Sequence, residues 1–203
     1  TNKEAALLRR TEAVPSFLMV GTIEPRKGHV QVLEAFETLW AANHQINLVI
    51  VGKQGWMVED LIERLRSHPE KNKRLFWLDD ASDGMLQSLY QKAACLIAAS
   101  YGEGFGLPLV EGAANKLPIM ARDIPVFREV AGDHAYYFTA QSSEELAEAV
   151  SDWLKLDSTG MAPAPEGITP LTWAQSASAL AKFLCDDSER LPEHAKQIQQ
   201  HGK

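Results

Sequence analysis

The chain has 203 residues, enough for one domain of ordinary size and a tail. Hydrophobic residues make up 45% and charged residues 23%, which excludes a disordered chain and supplies material for one core. With 27 acidic residues against 20 lysines and arginines, the net charge of −7 disfavours generic binding to nucleic acid or to an anionic membrane, both of which need a basic face.

No segment reaches the run of about 18 apolar residues that spans a bilayer. Thr1 to Arg10 has charges but lacks the apolar core of a signal peptide. The chain therefore reads as cytoplasmic. It begins without Met in a polar stretch, so it reads as a piece of something longer. Its two cysteines, Cys95 and Cys185, are far apart. They suggest neither a disulfide framework nor a zinc cluster, and read as small buried apolar residues.

In chain order, residues 1–14 read as a linker or short helix ending at Pro15. Phe17 to Val20 is a short apolar run stopped by Gly21, the pattern of a buried strand. Residues 30–42 read as a helix, with Val32, Leu33, Phe36, Leu39 and Trp40 on one face. Ile46 to Val51 is the clearest strand. Val58, Leu61, Ile62 and Leu65 then make a helical stripe. Arg74 to Leu78 predicts a strand, and Asp83 is expected to cap the helix that carries Leu86, Leu89, Tyr90 and Ala93.

Cys95 to Ala99 is an apolar strand running into a glycine loop, followed by a helix with Pro108 in its first turn. Leu117 to Ala121 and Ala135 to Phe138 are further strands, with a short helix from about Val126 between them. Ser142 with Glu145 forms a capping box. Residues 157–170 read as a connector rich in proline and glycine. Thr172 with Gln175 forms a second capping box, opening a helix to about Leu184. Trp173 is expected to pack that helix. The stretch 186–203 reads as a polar tail.

Strands alternating with helices, the strands continuously apolar, imply an α/β protein. The expected fold is a Rossmann-like parallel sheet of about six strands with helices on both faces. Such sheets bind ligands at the carboxyl ends of their strands. After the first strand comes Gly21-Thr22-Ile23-Glu24-Pro25-Arg26-Lys27-Gly28. An Arg-Lys pair between Pro and Gly, just ahead of a helix, suits an anion: Arg forks onto phosphate oxygens and Lys supplies a point charge. The segment is not a Walker A loop.

The loop after Ala99 reads Ser100-Tyr101-Gly102-Glu103-Gly104-Phe105-Gly106-Leu107-Pro108-Leu109-Val110-Glu111. Alternating glycines let backbone approach a ligand. The N–H groups of Phe105, Gly106 and Leu107 open the next helix and favour an oxyanion or hydroxyl oxygen. Glu103 and Glu111 suit hydroxyl-rich ligands, since a carboxylate accepts two hydroxyl protons at once. The glycine spacing is not a dinucleotide fingerprint, so a nicotinamide enzyme is disfavoured. Lys53, in the loop after the second strand, could touch phosphate or base. Trp77 and Leu78, at the end of the third strand, could offer backbone groups to a nucleobase. Asp79 and Asp80 read as turn residues rather than a metal site. The six histidines show no ligand spacing, and none is expected beside the glycine loop.

The pairing of G-T-I-E-P-R-K-G with E-G-F-G-L-P-L-V-E resembles glycosyltransferase family four, also called glycosyl transferases group one, over roughly residues 15–185. The resemblance implies the carboxyl-terminal, donor-binding half of a retaining, metal-independent GT-B enzyme. A preceding amino-terminal domain would supply the acceptor contacts, with residues 1–14 as the linker from it. Arg26 and Lys27 match the residues that grip the donor diphosphate. Glu111 matches the one that holds the ribose, and Glu103 the one that faces the transferred sugar. Phe105, Gly106 and Leu107 match the backbone that contacts sugar and phosphate. Thr22 departs from the Arg that many members carry there.

The E-P-R-K-G variant resembles bacterial mannosyltransferases, which implies GDP-mannose as donor and a glycan or lipid-linked acceptor in O-antigen-type polysaccharide synthesis. It also implies no cofactor beyond the sugar nucleotide, and peripheral contact of the whole protein with the inner face of the cytoplasmic membrane. The alternatives are the same enzyme class using a UDP-sugar, and a non-catalytic GT-B-like interaction module.

Overall fold

Short apolar runs closed by glycine or polar turns form strands, as the sequence leads one to expect. A computed structural model describes residues 2–169 and 173–186. Its strands are β1 (Ser16–Val20), β2 (Asn47–Val51), β3 (Leu75–Leu78), β4 (Cys95–Ala98), β5 (Ile119–Arg122) and β6 (Tyr136–Phe138). They make one six-stranded sheet in the order β3-β2-β1-β4-β5-β6, and every adjacent pair is parallel.

The helices are α1 (Asn2–Ala13), α2 (His29–Ala41), α3 (Glu59–Ser67), α4 (Asp83–Lys92), α5 (Leu107–Ala114), α6 (Pro125–Ala131), α7 (Ser143–Ser158) and α8 (Trp173–Asp186). Side chains alternate across each strand, so the sheet carries two cores. Phe17, Met19, Leu48 and Ile50 pack with α2, α3 and α7. Leu18, Val49, Leu96 and Ile119 pack with α1, α4, α5 and α6. Burial on both faces explains why the strands are apolar without a polar alternate.

The stretch expected as a linker or short helix is α1, and its Leu7 is buried against the second core. The cap expected at Asp83 is instead Ser82, whose Oγ accepts from Met85 N at 3.2 Å. Asp83 is the first helical residue, where a carboxylate still complements the helix dipole. Ser142 caps α7 as expected, accepting from Glu145 N, while Glu145 Oε2 reaches back to Gln141 N at 2.7 Å. Cys95 is fully buried, and burial drives its thiol pKa well up.

The chain divides after Thr169 into two compact units. The sheet and α1 to α7 belong to the first and α8 to the second, whereas the sequence reading ran one domain to 185. Thr172 of the second capping box, the side chains of Trp173 and Cys185, and the tail beyond Asp186 lie outside the described residues. Among the described residues no helix is long and apolar enough to cross a membrane.

Trp153 of α7 is fully buried edge-on to Phe17, with ring centroids 5.2 Å apart, and Phe17 meets Phe36 of α2 at 5.4 Å. Its indole N–H has no acceptor among the described residues. Trp153→Ala should therefore cost about 3–5 kcal/mol in urea denaturation, through lost packing and a cavity. Trp153→Phe keeps a ring and removes the orphan donor, so it should cost only a small part of that.

Candidate active site

Where the sheet order reverses, the loops after β1 and β4 diverge to opposite faces and leave a crevice. The β1 loop is pinned to the loop after β2: Gly21 N donates to Val51 O at 3.0 Å, and Ile23 N to Lys53 O at 2.9 Å. It then winds into a short 3-10 turn, Pro25–Lys27, that presents both cations. Gly28 ends the turn at φ +73°, and a Cβ there would lie 2.5 Å from Ala99 O. Only glycine allows this turn to press against the end of β4. Tyr101 N donates to Arg26 O at 2.8 Å, closing the β1 loop onto the glycine loop.

Glu103 joins the two loops through its side chain. Its Oε2 accepts from Arg26 Nη1 at 2.9 Å, and its Oε1 from Ser100 Oγ at 2.7 Å and from Lys27 Nζ. Arg26 also donates to Gly102 O at 3.1 Å and from Nε to Glu24 at 2.9 Å. Burial pushes the Glu103 pKa up, but the hydrogen bonds from Lys27, Ser100 and Arg26 outweigh it and hold the group below its ordinary value. Bonding to Glu103 likewise raises the Arg26 pKa. The pair stays charged at neutral pH.

A cleft of about 380 Å³ opens over this cluster. Gly21, Thr22, Arg26 and Lys27 line one side; Glu103, Phe105, Gly106, Leu107 and Glu111 line the other. Gly106 begins α5 at φ +90° with its Cβ position 2.9 Å from the Phe127 ring, so this position is fixed by packing. The Cβ positions of Gly102 and Gly104 meet nothing within 4 Å. At the start of α5, Pro108 lacks an N–H and Leu109 N donates to Gly106 O at 3.0 Å, which leaves Leu107 N as the first-turn donor at the cleft. One turn into α5, Glu111 Oε2 accepts from Tyr90 OH at 2.6 Å. Burial first, then this bond to Glu111, raises the Tyr90 pKa, so the phenol stays a donor and fixes one carboxylate oxygen.

Among the residues expected to bind donor, Lys53, Trp77, Leu78 and Gly104 do not line this cleft. Lys53 is exposed on the adjoining loop. Trp77 gives its indole N–H to Gly52 O at 2.9 Å. With Leu78, Asp79 and Asp80 it lines a separate hollow of about 630 Å³ against α1. Among the described residues no cluster could hold a metal ion.

Several supporting groups were not legible in the sequence. Tyr90 reads as a core residue from its place on α4. Arg122 is buried and donates to Ala99 O, Ala140 O and Gln31, with its guanidinium 4.2 Å over the Tyr101 ring. No motif marks it. The expectation that no histidine lies beside the glycine loop is overturned. His29 shares a small internal cavity of about 20 Å³ with Lys27, Ser100, Glu103 and Gly106. It is adjacent to the Lys27-Gly28 signal, but its first-turn position on α2 hid it among helix residues.

The fold is that of the carboxyl-terminal half of a GT-B glycosyltransferase. The structure resembles the C-terminal domain of a glycosyl transferase group 1 family protein (LpcC) from Francisella tularensis. That match has a TM-score of 0.64 and 21% identity, covering 80% of this chain and 88% of that one. The family model for glycosyl transferases group 1 matches residues 3–166, and the chain belongs to that family. It is 55% identical over 179 residues to a serotype-specific mannosyltransferase, WbdA, from Escherichia coli, a match covering 88% of this chain and 22% of that protein. It is 26% identical over 145 residues to the O-antigen chain mannosyltransferase RfbU of Salmonella typhimurium LT2, covering 71% and 40%. The chain thus spans about a fifth of the length of its WbdA relatives.

Acid should weaken this site in a defined window. Burial, then the charge of Lys27, lowers the His29 pKa from 6.5 to about 4, against a smaller opposing effect of the Glu24 carbonyl. Above pH 6.5 His29 is neutral folded or unfolded and costs nothing. As pH falls from 6.5 to about 4 the unfolded chain takes the proton first, so folding loses up to roughly 3 kcal/mol. Glu103, held low, adds a loss of the same sign below its ordinary value of 4.5. Urea denaturation at stepped pH should show this decline, and His29→Leu should flatten the part between pH 6.5 and 4.

Proposed function

We propose that this chain binds the donor of a retaining mannosyltransferase. The donor would be GDP-mannose and the acceptor a glycan or lipid-linked glycan in O-antigen-type synthesis. The observation that carries the reading is the convergence on one cleft of Arg26 and Lys27 with the start of α5 and its Glu111. The mannosyltransferase names of the relatives favour the sugar. The whole enzyme extends well beyond this chain, and acceptor contacts belong to its other parts.

The chemistry follows from charge. Cleaving a sugar–phosphate bond leaves a nucleoside diphosphate on which negative charge develops. Fixed cations and helix N–H groups stabilise that charge without reorganising. Arg26 and Lys27 grip the diphosphate, with Phe105, Gly106 and Leu107 capping it through backbone N–H. As phosphate oxygens take over the two cations, Glu103 is freed to accept hydroxyl protons from the transferred sugar. Glu111, with one oxygen set by Tyr90, accepts from the ribose hydroxyls. The base lies toward Trp77 and Leu78 at the end of β3, and Lys53 approaches it or a phosphate from the neighbouring loop.

Calorimetric titration with GDP, UDP and ADP tests this. GDP should bind most tightly. Losing a charge-assisted hydrogen bond costs roughly 1.5–3 kcal/mol, so Lys27→Ala and Glu111→Ala should each weaken binding roughly 10- to 150-fold. Unchanged affinity in both variants removes the site assignment. Preference for UDP keeps the enzyme class and changes the sugar. Silence toward all three favours an interaction module instead.

Tyr90→Phe tests the ribose clamp separately. It keeps the ring in the core but releases Glu111, so GDP affinity should fall while urea denaturation shows a loss of only roughly 0.5–1.5 kcal/mol.

A further inference from the structure

Arg122, the last residue of β5, is only 6% exposed, and no carboxylate pairs with it among the described residues. Burial lowers its pKa, yet a guanidinium stays charged inside a protein. A buried cation without a counter-ion is costly, and an apolar side chain of similar size would fill the space more cheaply. Its partners show what it is used for.

Three segments meet at the guanidinium. Nε donates to Ala99 O at 3.0 Å, just past β4, and Nη1 to Ala140 O at 2.8 Å, beyond β6. Nη2 donates to Gln31 Oε1, in the first turn of α2. Gln31 is itself buried, and its Nε2 donates to Ala140 O at 3.2 Å and to Ser142 O at 2.8 Å. The Tyr101 ring centroid lies 4.2 Å from the guanidinium carbon, and the Tyr101 hydroxyl donates to the same Gln31 oxygen at 3.1 Å. A buried polar network satisfied in this way is rigid.

Arg122 thus holds the chain on both sides of Ser100, by the carbonyl of Ala99 and by the ring of Tyr101. These residues orient the cleft. Ser100 Oγ donates to Glu103 Oε1 at 2.7 Å, and Tyr101 N donates to Arg26 O at 2.8 Å. Glu103 in turn accepts from Arg26 and Lys27. Arg122 itself does not line the donor cleft. We infer that Arg122 is a positioning residue for donor binding: its fork fixes residues 99–101 and, through Ser100 and Tyr101, the aim of Arg26 and Lys27 at the diphosphate. A lysine supplies a point charge without the planar fork, so the geometry of the guanidinium, not its charge, carries the role. The inference rests on the donor reading above and adds to it a residue outside the cleft.

Calorimetric titration of the whole chain with GDP, paired with urea denaturation, tests it in two backgrounds. Arg122→Lys should weaken GDP roughly three- to tenfold, the worth of one ordinary hydrogen bond. In an Arg26→Ala background the same change should cost much less, because the group that it places is gone. Tyr101→Ala should behave in the same way. Tyr101 is 56% exposed, so the fold tolerates its loss, and it does not line the cleft, so the variant reads placement rather than contact.

Wild-type affinity in both variants, whatever the urea midpoint, overturns the inference and leaves Arg122 a part of the fold alone. So does an equal loss in the two backgrounds, which assigns its effect to general stability or to long-range charge. If Arg122→Lys does not fold, Tyr101→Ala decides. When the unaltered chain binds GDP, each of these failures leaves the donor reading intact. An unaltered chain that binds no nucleotide removes the donor reading and this inference together.

Discussion

The carboxylate of Glu103 accepts from Lys27, Arg26 and Ser100, and so ties the β1 loop to the β4 loop across the gap where the sheet order reverses. Parallel α/β sheets leave such a gap because consecutive crossovers go to opposite faces. In this chain it would hold two cations with no fixed direction. Glu103 aligns them, and the hydrogen bonds from Lys27, Ser100 and Arg26 together outweigh the penalty of burying its carboxylate. In this arrangement an internal anion already occupies both cations.

Around that contact, charge and neutrality are partitioned. The protein is acidic overall, and its crevice sets Arg26 and Lys27 against Glu24, Glu103 and Glu111. Local geometry, not net charge, decides what binds there. Arg122 adds a buried cation behind the glycine loop, its guanidinium spent on carbonyl groups and on the Tyr101 ring. His29, which shares a small cavity with Lys27, is held neutral by burial and by that charge. Arg26, Lys27 and Glu103 are thus kept charged by pairing with one another.

The sheet and its helices were legible because each depends on local pattern. Leu61, Ile62 and Leu65 declare a helix face, and Asn47 to Val51 a strand buried on both sides. The two loops were legible because proline, glycine and paired charges are rare at such spacing. The Tyr90–Glu111 bond was not, since it links residues on different helices and α4 shows only an apolar stripe there. Nor was the buried state of Arg122 and His29: a titratable residue reads as surface until the fold closes over it. Trp77 and Lys53 were placed by topology alone, which orders loops along the sheet edge but does not aim side chains. Ser82 displaced Asp83 as cap by one residue, a choice that sequence pattern resolves poorly.

The separation of the two loops along the chain has a kinetic consequence. Arg26 and Gly102 meet across 76 residues, and the β1–β4 pairing beneath them joins Phe17 to Cys95. The β1–β2 and β4–β5 pairs enclose far shorter loops and so close at lower entropic cost. The half-sheets on either side of the crevice can assemble early, each with its own helices. The crevice itself takes shape only when the long β1–β4 closure is made, so it depends on a contact that carries a higher entropic cost than those within either half-sheet.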